Sequence, residues 1–157
     1  MKNRYIISII LFAFLLFTSC SVEDLIKEEP DNTEILVSNS PWKFESFKLA
    51  WATKTEKDTI TDQEIEREVN DSYKDLEFTF NADGTGQTTA PNADVEFLVW
   101  DWFFDGSNKI CFGATCGADS FTSIQLSENS FSFDLTAGAP SNTEGEKIIY
   151  SGRYTLK

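Results

Sequence analysis

Histidine is absent from this 157-residue chain. That removes imidazole as a general acid or base, and with it any Ser-His-Asp or Cys-His nucleophile. It also removes the commonest nitrogen ligand of zinc. Basic residues are scarce, 13 Lys and Arg against 26 Asp and Glu, for a formal net charge of −13. Nucleic-acid binding needs clustered Lys and Arg to neutralise phosphates, so nucleic acid is excluded as a partner. The same shortage disfavours docking onto an anionic lipid surface. Past residue 17 no apolar run approaches the ~20 residues of a membrane-spanning helix. There is no glycine-rich phosphate loop, since Gly84 and Gly86 fall in a turn. No internal repeat or catalytic constellation is visible, so neither an enzyme nor a bound cofactor or metal is expected.

The N-terminus is what the sequence has in abundance. Lys2 and Arg4 precede an apolar run from Tyr5 to Phe17, broken only by Ser8. As a helix that run spans roughly 20 Å, short of the ~30 Å bilayer core and suited to the h-region of a signal peptide. The run ends in Leu16-Phe17-Thr18-Ser19-Cys20, which resembles the lipobox cut by lipoprotein signal peptidase. Residues 1–19 are therefore expected to be a lipoprotein signal peptide. Cys20 is then the lipid-anchored first residue of the mature protein; the alternative is an ordinary secretory signal with Cys20 left free. One acyl chain anchors only reversibly, and lipoproteins of this kind, by resemblance, carry three, palmitate being typical. Residues 20–39 are acidic, poor in aromatics and punctuated by Pro30, and read as a flexible tether. Acidic residues close behind the cysteine also resemble export signals of surface lipoproteins in some Gram-negative groups. The implied location is the cell envelope, as an outer-membrane lipoprotein either exposed at the surface or facing the periplasm. The leader takes two basic and no acidic residues, so 11 against 26 leaves the mature chain at −15.

Residues 40–157 read as one domain of strands and turns. Pro41 to Trp51 alternates apolar and polar residues, with Trp42 and Phe44 on one face and Phe47, Leu49 and Trp51 sharing a face after a slip of phase at Ser46. The only helical signal follows. Thr61-Asp62-Gln63-Glu64 has capping-box spacing, and Ile65, Val69 and Tyr73 recur every fourth residue. Period two then returns in strands from Asp75 to Phe80, Thr85 to Thr89, Val95 to Phe104, Lys109 to Phe112, Ser120 to Leu126, Ser130 to Leu135 and Glu146 to Leu156, with Ala137 to Gly145 as a loop. Eight strands joined mostly by short turns make sequential neighbours antiparallel. The expected fold is all-β: an eight-stranded antiparallel up-and-down barrel with one short helix between strands 1 and 2, an open β-sandwich being the alternative.

Fourteen phenylalanines and four tryptophans are heavy for this length. They pack a filled core, or line a cavity formed by Trp51, Phe78, Phe80, Trp100 and Trp102 and closed by the helix around Ile65 and Val69. Asp101 alternates with Trp100 and Trp102 and is expected to face solvent. Asn81-Ala82-Asp83-Gly84-Thr85 reads as a hairpin turn, lacking the other ligands of a calcium loop. Cys111 and Cys116, in an oxidising compartment, are expected to bridge and clip a hairpin, two free thiols being the alternative.

Several short motifs together resemble the small lipocalin-like domains of bacterial lipoproteins, within the wider calycin group. They are Pro41-Trp42-Lys43-Phe44, Leu76-Glu77-Phe78-Thr79-Phe80-Asn81-Ala82-Asp83-Gly84-Thr85, Trp100-Asp101-Trp102 and Tyr150-Ser151-Gly152-Arg153-Tyr154-Thr155-Leu156. Lipocalins open their first strand with Gly-x-Trp, and a basic residue of the last strand packs over that Trp. The resemblance implies a structural pair of Trp42 and Arg153, although Ser40 replaces the Gly. A helix after the first strand is more like the fatty-acid-binding branch, where helices cap the barrel mouth. The implied function is a non-enzymatic, lipid-anchored module for a small apolar or amphiphilic ligand. The alternative is a structural or interaction lipoprotein with a filled barrel, binding an envelope protein or glycan.

Overall fold

The computed structural model describes residues 31–54, 59–89, 97–140 and 147–157. The leader, Cys20 and most of the tether lie outside the described residues, as do Val95 and Glu96. The elements in chain order are α1 (Asn32–Ser38), β1 (Trp42–Thr53), α2 (Asp62–Tyr73), β2 (Glu77–Phe80), β3 (Thr85–Thr89), β4 (Phe97–Phe104), β5 (Ile110–Phe112), β6 (Thr122–Ser127), β7 (Ser130–Pro140) and β8 (Lys147–Leu156).

Alternating apolar residues give every strand one face to hide, and the short turns fix an antiparallel meander. The sheet runs β5-β4-β3-β2-β1-β8-β7-β6. The first and last strands are hydrogen-bonded neighbours, from Phe44↔Leu156 to Thr53↔Ile149. The sheet therefore curls into a nearly closed barrel, and its seam lies between β5 and β6. There a single bridge joins Ile110 to Phe121, each N–H donating to the other's carbonyl at 2.9 Å.

β1 bends at two register shifts, Phe44/Ser46 and Leu49/Trp51. The first is the slip of phase expected at Ser46. The second corrects the expected inward face of Trp51. Leu49 pairs with Gly152, which is buried, but Trp51 pairs with Ser151 on the opposite face. An extra residue in one strand reverses every later side chain, and Trp51 is 47% exposed.

β1 meets β2 only at Trp42↔Phe78 and Lys43↔Glu77. Beyond that point the strands part, and α2 covers the edge that β2 has left. Its capping box forms as the sequence predicts, with the Glu64 N–H donating to Thr61 Oγ1 at 3.2 Å and the Thr61 N–H to Glu64 Oε2 at 2.8 Å. Ile65 and Val69 are buried against the barrel. The polar face of the helix completes the ladder. Asn70 accepts from the Phe47 N–H at 2.8 Å and donates to the Phe47 carbonyl at 3.0 Å. Glu66 accepts from the Leu49 N–H at 3.0 Å. Backbone groups that a missing strand would have left unpaired are thus satisfied by side chains.

Two further corrections concern extent. α1 lies within the segment read as tether, and the compact unit begins at Asp31. Asp31 caps α1 by accepting from the Glu34 N–H at 2.8 Å, and Leu36 is fully buried. β7 runs on to Pro140, through residues read as loop, because its ladder with β8 continues to Pro140↔Lys147.

Candidate functional site

The barrel interior is aromatic. Phe80 is buried among Trp100, Trp102 and Phe131, with ring centres 5.1, 5.2 and 5.9 Å away. Phe121, Phe133 and Tyr154 form a near-parallel column, with centres 3.6 and 5.4 Å apart. Most other pairs meet edge to face, which suits the ring quadrupoles. Trp102 also donates from Nε1 to the Thr85 carbonyl at 2.9 Å. Trp100 closes over Gly86, where an added Cβ would sit 2.1 Å from its ring. Four of the five expected lining residues, Phe78, Phe80, Trp100 and Trp102, therefore come together, packed on one another. The fifth, Trp51, is on the outside. Asp101 is exposed as expected.

A cleft of about 370 Å³ opens between α2 and the β7–β8 end of the barrel. Ile60, Ile65, Val69 and Ile148 supply its apolar walls, Tyr73 and Tyr150 its aromatic floor, and Glu68, Ser72 and Gly138 its rim. Tyr150 neighbours Tyr73 and Tyr154, whose ring centres lie 6.1 Å apart. Burial pushes the Tyr150 and Tyr154 hydroxyls above their ordinary value, because a phenolate there would lose its water, and in Tyr154 the neighbouring Tyr150 adds to the rise. The cleft thus combines apolar walls with a few convergent polar groups, the usual make-up of a small-molecule site. The tyrosine cluster is what reasoning from sequence missed. Its signal was there: Tyr73 continues the helical stripe of Ile65 and Val69, and Tyr150 and Tyr154 share the inward face of the last strand.

Trp42 and Arg153 do not form the implied pair. Trp42 is buried, donates from Nε1 to the Leu36 carbonyl at 2.8 Å and meets Phe131 edge-on at 5.7 Å. Arg153 sits opposite Lys48, well along β1, on the outer face. It donates to Asp134 at 2.9 Å and Ser132 at 3.0 Å. The residue that covers Trp42 is Leu36, from the helix the sequence concealed.

Cys111 and Cys116 lie at disulfide-bonding distance, with Cα atoms 4.8 Å apart, beside the β5–β6 seam. Asp105 gathers with the two sulfurs, ligand atoms all within 4.8 Å of one another, but a bridge between them uses both sulfurs and leaves no metal donor set. No family model, curated protein or solved structure matches this chain.

Proposed function

We propose that the protein is a non-enzymatic binding module, held to the envelope by lipid at Cys20, that takes a small apolar or amphiphilic ligand in the cleft beneath α2. The observation that carries this reading is the cleft itself: apolar walls from Ile65, Val69 and Ile148 beside Tyr73 and Tyr150. Its volume, about 370 Å³, falls at the small end of the ~300–1,000 Å³ typical of such sites. A meander barrel with a helix after β1 also supports placing the chain among lipocalin-like lipoproteins.

The test is a titration with short amphiphiles, followed through the methyl resonances of Ile60, Ile65 and Ile148. Saturable shifts at those methyls are expected; a panel that leaves them unmoved removes the proposal. Lipidation is tested separately, by incorporation of a labelled fatty acid that Cys20→Ser abolishes. A second reading, an interaction lipoprotein binding a protein or glycan, draws on the interior rings packed on one another. It predicts envelope partners that co-purify and no small ligand.

A further inference from the structure

We propose that the cleft selects its ligand by headgroup charge and takes a cationic amphiphile, an aliphatic chain ending in an ammonium group, in preference to a fatty carboxylate. The inference rests on the binding reading above and adds the class of ligand. Among the described residues lining the cleft, the only charged side chain is Glu68, at the rim.

Two described lysines of the neighbouring segments are paired with carboxylates of α2. Lys54 pairs with Asp62 and donates to the Ile60 carbonyl at 3.2 Å. Lys48 pairs with Glu66 at 3.1 Å. α2 itself carries Asp62, Glu64, Glu66, Glu68 and Asp71 against the single cation Arg67, and the chain as a whole is at −13.

A carboxylate entering this cleft would give up water and find no described cation in the lining to replace it, a costly transfer. An ammonium group at the rim would find the Glu68 carboxylate, which is favourable to a cation. The apolar walls accept the aliphatic chain in either case, so discrimination falls on the headgroup.

Decylammonium, decanol and decanoate share one chain length and differ in charge. Each is titrated, below its micelle concentration, into the chain from residue 20 carrying Cys20→Ser, which retains the whole compact unit Asp31–Lys157. Shifts are read at the Ile60, Ile65 and Ile148 methyls. Decylammonium should bind tightest and decanoate weakest. The gap between them should be at most about tenfold, the order expected for one exposed charge that attracts one headgroup and repels the other. Glu68→Gln should shrink that gap.

Decanoate binding as well as decylammonium would overturn the charge selection and leave the binding module standing. So would an unchanged ranking in Glu68→Gln, or decylammonium that binds without moving the cleft methyls. If none of the three compounds moves those methyls, the binding reading fails, and this inference with it.

Discussion

Asn70 gives the sharpest test of how this barrel closes. Its amide holds both backbone groups of Phe47, at 2.8 and 3.0 Å, while its second N–H donates to the Glu66 carbonyl at 2.7 Å. Where β2 has left β1, this one side chain acts as the missing strand. Asn70→Ala removes two side chain–backbone bonds to β1, each contributing about 1 kcal/mol, and leaves a partly buried N–H and C=O without partners. Against that, alanine favours a helix interior over asparagine by up to ~0.7 kcal/mol. The net loss expected is about 2 kcal/mol. For a unit running from Asp31 to Lys157 this corresponds to a fall in Tm of roughly 6–10 °C. Urea unfolding followed by tryptophan emission should show a lower midpoint with an unchanged slope, because the same surface is exposed on unfolding. Amide exchange at Phe47 and Leu49 should accelerate more than at Tyr154, on the far side of the same ladder. A loss below ~0.5 kcal/mol, the range of an inert surface substitution, would show that α2 does not seal the β1 edge.

Three other outcomes are expected. Gly152→Ala should cost several kcal/mol in urea unfolding, since its Cβ would meet the Lys48 carbonyl and the Phe47 ring, each at 2.4 Å, and the carbonyl belongs to the backbone of the paired strand. At high pH the tyrosine cluster should unlock. Hydroxyls pushed above 10.0 keep their protons in the fold, so their contribution is complete below pH 10.0 and is lost as pH rises beyond it; Tyr154→Phe should lessen that alkaline loss, read as the urea midpoint against pH. At low pH Glu66 should matter, because the Leu49 N–H and Lys48 hold its carboxyl below 4.5. Its contribution is present above pH 4.5 and is lost as pH falls through the lowered value, so Glu66→Gln should flatten the acid limb of the same plot.

Period-two alternation made most of the barrel legible in the sequence. β3 occupies the residues that the pattern assigns, and the helix after β1 starts at the predicted capping box. What escaped was decided by contacts distant in the chain. Ile35-Leu36-Val37 offers one short apolar patch and no repeat, so nothing local announces α1. It folds because Leu36 fills the barrel end and its carbonyl receives the Trp42 indole at 2.8 Å and the Ser40 hydroxyl at 3.0 Å. The second bulge of β1 lies in Leu49-Ala50-Trp51, where simple alternation places both large residues inward; pairing with β8 puts Trp51 outside instead. The residues from Ala137 to Pro140 carry turn composition, yet an unbroken ladder with β8 overrides it. The cleft was half legible. Both faces that form it were visible as apolar stripes, but only the folded barrel shows that α2, packed along β1, brings Tyr73 beside Tyr150 and Tyr154 of β8.

The two ends of the barrel are built differently. One end is shut by α1, with Leu36 over Trp42 and Asn32 donating to the Ser107 carbonyl at 2.8 Å across the β4–β5 turn. The cleft lies toward the other end, beside the close of β7 and the start of β8. The chain enters the compact unit at Asp31, at the shut end, and β1 then runs from Trp42 to Thr53 toward the cleft, a rise of roughly 35 Å if fully extended. The end of the compact unit that the chain enters first is thus the closed one, and the cleft belongs to the opposite end, so the contacts that shut the barrel at Leu36 and Trp42 are separate from those that line the cleft.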